Sequence, residues 1–135
     1  MNIRAIVAVI GGVLAWTLLF MVVGIAFGLV WQDYRLAARA FFDSQNFGLF
    51  TTAMMLTNFV VFAIAGLVDG WLVAWFARSR TPGYVVAGLY LAYALVEHYY
   101  LMWNIIPNWY NMVVPWIIAG SILAGVRLAA VRAAA

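Results

Sequence analysis

Cysteine and lysine are both absent from the 135 residues, and only 8% of the side chains are charged. Without cysteine there can be no disulfide, no thiolate catalysis and no Cys-ligated zinc or iron–sulfur site. The one histidine, His98, cannot supply both axial ligands of a haem. No cofactor or metal is therefore expected. A soluble domain carries about 25% charged residues, so this chain lacks the polar shell that folding in water requires. All seven basic residues are arginines, placed singly or in pairs near segment ends. They form no stripe or patch, which argues against nucleic acid as a partner despite the net charge of +3.

What is present is apolar: 69% of the residues are hydrophobic. A membrane-spanning helix needs roughly 20 such residues in a row, and four stretches qualify, at about 5–31, 47–76, 84–106 and 111–126. The expectation is an all-α integral membrane protein, a four-transmembrane-helix bundle forming a single domain over 1–135. The first stretch exceeds the 7–15 residues of a signal-peptide core and lacks a small-residue cleavage site, so it reads as a retained span. Segment 32–46 mixes Tyr34, Leu36, Phe41 and Phe42 with Asp33, Arg35, Arg39 and Asp43. It fits either an amphipathic segment on the outer membrane surface or an irregular loop.

Orientation follows from the arginines, which favour the cytoplasmic side. With four spans, Arg4, Arg78, Arg80, Arg127 and Arg132 share one side, while Arg35 and Arg39 are offset by Asp33 and Asp43 on the other. Both termini are thus expected in the cytoplasm. Trp31, Trp103, Trp109 and Tyr110 would form an outer aromatic belt, and Trp71, Trp75 and Tyr84 an inner one. The Pro82-Gly83 pair reads as the stop of a tight inner turn.

Helices in lipid associate through close packing and polar contacts. Small residues four apart supply packing faces at Gly24/Gly28, Gly66/Gly70, Gly120/Ala124 and Ser121/Gly125. Two acids fall within spans, Asp69 on the inner half and Glu97 on the outer, and intramembrane acids are functional candidates. Tyr90, Tyr93, Glu97, Tyr100 and Asn104 recur at spacings of three and four, which places them on one helix face. Thr51, Asn58 and Asp69 mark a comparable stripe on the second span. Facing each other, these stripes would make a polar seam. His98 is turned about 100° from Glu97 on an α-helix and is expected to point elsewhere. The seam either moves protons, binds a polar ligand or lines a path, or it only locks the helices together.

Asp69-Gly70-Trp71-Leu72-Val73-Ala74, followed by Arg78-Ser79-Arg80, a third span and Ile106-Pro107-Asn108-Trp109-Tyr110, resembles a recurrent type of small four-span bacterial inner-membrane protein. The likeness covers the C-terminal two thirds, with Asp69 standing where a small residue is usual. It implies a bacterial inner membrane and four spans, and carries no activity with it. Two functions are expected from the residues. One is a non-catalytic accessory or assembly subunit of an inner-membrane complex, with lipid, other membrane subunits or its own copies as partners. The other is a small oligomeric transporter or channel using Glu97 or Asp69 as a proton or cation site. No catalytic constellation is visible, so an enzyme is not expected.

Overall fold

The computed structural model describes residues 3–129, all of whose regular structure is helical. Arg132, counted above with the inner arginines, lies outside them. The order is α1 (Ile3–Val30), α2 (Gln32–Ser44), α3 (Thr52–Ala77), α4 (Thr81–Val96), a π-helical turn (Glu97–Leu101) and α5 (Asn108–Leu128). Three of these, α1, α3 and α5, are long and apolar enough to cross a membrane. The shortest, α5 at 21 residues, extends about 31 Å, close to the hydrocarbon thickness of a bilayer.

Capping chemistry explains why the boundaries differ from the apolar runs. α3 starts at Thr52, well after Phe47, because Thr51 is extended and its hydroxyl accepts the Met54 N–H at 3.3 Å. Thr51→Ala should cost about 1 kcal/mol, measured as a lower unfolding midpoint in detergent. Arg78 ends α3 in the left-handed region, φ 52°, with Arg78 and Ser79 N–H groups bonding back to α3 carbonyls. Pro82 begins α4 instead of stopping a helix. In the first turn its missing N–H has no intrahelical partner to lose. Segment 32–46 is helical over Gln32–Ser44, with Tyr34 and Ala37 buried and an exposed Arg39–Asp43 pair at 3.5 Å.

The long helices alternate in direction. Gly12 of α1 sits beside Val73 of α3 and Val86 of α4, and Phe59 of α3 stacks on Tyr110 at the start of α5, centroids 5.0 Å apart. Arg4 donates to the Phe76 carbonyl at 2.6 Å, joining the start of α1 to the end of α3. Arg4, Arg78, Arg80 and Arg127 thus gather at one end of the bundle, and α2 lies at the other.

The tightest contact joins α3 and α5, which are parallel and not sequence neighbours. A Cβ on Gly70 would collide with the Ile122 carbonyl, and one on Gly125 with the Leu67 carbonyl. Gly66 faces the Ser121 hydroxyl in the same seam. The remaining small-residue faces behave differently. Gly28 packs on Arg35 of α2, Gly24 and Gly120 face open space, and Ala124 is half-buried. Helix α1 buries only Ala8, Gly12, Trp16 and Gly28.

Candidate functional site

Above the Gly12 contact, α1 and α4 part. Between them, under α2 and the 45–51 connection, lies a cavity of about 610 Å³. That volume is within the range of small-molecule sites. Its floor is a cross-link: the Tyr90 hydroxyl donates to the Val13 carbonyl at 2.6 Å and lies 3.3 Å from the Thr17 hydroxyl. One wall is a parallel stack of rings. Trp16 lies 5.6 Å from Phe20 at 5° and 6.1 Å from Phe62 at 12°, and Phe20 lies 5.3 Å from Phe62. Phe41, Phe47 and Phe50 close the roof, with Phe47 and Phe50 stacked at 4.6 Å. Thr17, Leu89 and Tyr93 both line the cavity and are exposed, so its mouth lies between α1 and α4.

Polar groups enter this aromatic box at four places. Asn58, buried on α3, accepts a short hydrogen bond from the Tyr34 hydroxyl of α2. Burial pushes the Tyr34 hydroxyl above its usual range, so it remains a donor at neutral pH. Tyr93 and Glu97 lie side by side on the α4 wall. His98 lines the cavity near them, 7% exposed. Finally, the Trp16 indole N–H is buried without a hydrogen-bond partner among the described residues. A donor left this way costs about 1–3 kcal/mol.

The expected seam is thus partly assembled and partly taken apart. Asn58, Tyr90, Tyr93 and Glu97 share one cavity. Tyr100, 83% exposed, and Asn104, also exposed, are not among its lining. The cause is the π turn, in which the Met102 N–H bonds to the Glu97 carbonyl at 2.8 Å, five residues back. Wider turns break the three-and-four spacing that the α-helical reading assumed. His98 and Glu97 both line the cavity on different sides, His98 against Asn111 of α5 and Glu97 beside Tyr93.

Asp69 is elsewhere. Its side chain is fully buried and lines a groove of about 290 Å³ between α1 and α3, separate from the cavity.

Two residues at the start of α5 escaped the sequence reading. Asn111 is fully buried, its Oδ1 lies 2.8 Å from His98 Nδ1, and its Nδ2 donates to the Met102 and Ile106 carbonyls at 3.1 and 3.0 Å. Tyr110, expected in the outer belt, is 2% exposed and lies beside Asn58. Both sit in what looked like an interfacial turn. The available signal was Asn111 inside an otherwise apolar helix, three residues after Asn108.

The molecule is therefore an all-helical membrane protein with a half-enclosed aromatic cavity. No protein-family model, curated protein or solved structure matches the chain.

Proposed function

We propose that the chain is a four-span inner-membrane protein of bacterial type, with both termini in the cytoplasm. In this reading it is a non-catalytic subunit that holds an amphiphilic molecule in its cavity. The unbroken helical run from Thr81 through the π turn to Leu101 supports a fourth span. The arginine-rich end supports the orientation, which puts the cavity in the outer half under a surface-lying α2. The observation that carries the ligand reading is the cavity of about 610 Å³ itself, walled by the Trp16–Phe20–Phe62 stack and reached by Asn58, His98 and Glu97. It suits a flat apolar body that can lie along that stack and carries a polar group. Glu97 and Thr17 supply further polar contacts near the mouth.

A short-chain benzoquinone, titrated into the protein in nanodiscs and read by tryptophan quenching, tests this. Phe62→Ala removes a ring from the stack, leaves every tryptophan in place, and is expected to weaken binding about tenfold. Binding unchanged in that variant would overturn the reading of the stack as the ligand wall. A transporter remains the second reading, favoured by the position of Glu97 at the mouth. It now rests on Glu97 alone, because Asp69 lines a different space. Proton-coupled flux in liposomes that is lost in Glu97→Gln and kept in Asp69→Asn would favour it.

A further inference from the structure

Asp69 has no part in the cavity, and its position needs its own account. Neither carboxyl oxygen has a hydrogen-bond partner among the described residues, and the side chain is 0% exposed. Its neighbour Gly70 is pinned against the Ile122 carbonyl of α5. One residue on an α-helix is about 100°, so Asp69 is turned away from α5 and toward α1. There it lines a shallow groove whose α1 wall is Val7 with the small residues Ala8, Gly11, Gly12 and Ala15, and whose α3 wall includes Val73 and Phe76. Gly12 is filled by Val73 and Val86, whereas a Cβ on Gly11 would meet nothing within 4 Å. The groove is therefore open along Gly11 and apolar, with small residues on its α1 side and the unsatisfied carboxyl just beneath its surface.

We infer that this groove seats a transmembrane helix of a partner subunit, whose Lys or Arg side chain pairs with Asp69. Charge complementarity selects the occupant. Acids inside a membrane are found paired with bases or with backbone, and the small α1 wall lets a second helix approach closely. A second copy of this chain is the competing occupant at the depth of Asp69, through Arg127, five residues past Ile122 on α5, and the self-association arm of the test separates the two. That depth is about 13 Å from Arg78, nine residues on. A long basic side chain can reach it from a backbone position nearer the interface. The inference deepens the subunit reading and does not depend on what fills the cavity.

The test uses the full chain in phosphatidylethanolamine–phosphatidylglycerol vesicles, labelled at an engineered cysteine. Acceptor-labelled poly-leucine helices carry either one lysine two to three turns from the inner end or leucine throughout. Energy transfer should report association about tenfold tighter for the lysine peptide. Asp69→Asn should remove that difference, and Gly11→Leu, which adds bulk only to open space, should reduce binding of both peptides. Equal binding of the two peptides would overturn the inference, as would a lysine preference that survives Asp69→Asn. So would self-association of labelled chains that depends on Asp69. Circular dichroism and the unfolding midpoint of the same variants in detergent provide the folding control, so failure here leaves the cavity reading standing.

Discussion

Gly70→Ala is expected to destabilise the bundle by about 3 kcal/mol, at the upper end for overpacking. The added methyl would meet the Ile122 carbonyl, carbon and Cα, all backbone of α5. A side chain can rotate aside, but a helix backbone must translate, and α5 cannot move without disturbing its contact at Gly125. Gly125→Ala should behave alike, because its Cβ meets the backbone of Leu67 and Trp71. Gly66→Ala should cost less, because its closest obstacle, the Ser121 hydroxyl, can rotate aside, leaving Ser121 Cβ and the Ile122 nitrogen as tight contacts. Gly24→Ala and Gly120→Ala fill open space and should raise stability slightly through helix propensity. Denaturation by dodecyl sulfate in mixed micelles, followed by circular dichroism, ranks the five. Equal losses at Gly70 and Gly120 would refute the parallel α3–α5 seam.

Asn111→Leu is the second large effect. The substitution keeps approximate volume and strands two groups at once, a His98 ring nitrogen and the Ile106 carbonyl, while the Met102 carbonyl keeps the Ile105 and Ile106 N–H groups. Each buried group left unpaired costs about 1–3 kcal/mol, so a loss near 3 kcal/mol is expected after local relaxation. The three Asn111 side-chain bonds tie the π turn to α5. Loosening that tie should shift His98 and Glu97 in the cavity wall, so quinone affinity should fall along with stability. An Asn111→Leu protein with native stability and native ligand affinity would sink this account of the turn.

The contrast between these two regions shows what a sequence alone reveals. Gly66, Gly70, Ser121 and Gly125 were legible because a single spacing rule identifies surfaces that let helices touch. Their rule does not say which helix each one meets, and it marked Gly24 and Gly120 equally, where open space lies. The polar seam was legible up to Glu97, because Tyr90, Tyr93 and Glu97 obey α-helical periodicity. Past Glu97 the register changes in a π turn that leaves no compositional mark, so Tyr100 and Asn104 were misplaced. Asn111 was hidden for a related reason: its partners are two main-chain carbonyls and a histidine thirteen residues back. Asp69 was recognised as costly from its sequence neighbourhood. Only the fold separates it from Glu97, giving two distinct sites in place of one seam.

The mouth between α1 and α4 has a consequence for how occupancy is set. Thr17, Leu89 and Tyr93 face outward at mid-helix, where a four-span arrangement places acyl chains. A guest would then arrive sideways from the leaflet, already dissolved in lipid. The quantity that governs filling is its mole fraction among the lipids, with aqueous concentration entering only through partitioning. Doubling the lipid at fixed protein and fixed guest should therefore halve the effective dose, as dilution in solvent would for a soluble receptor.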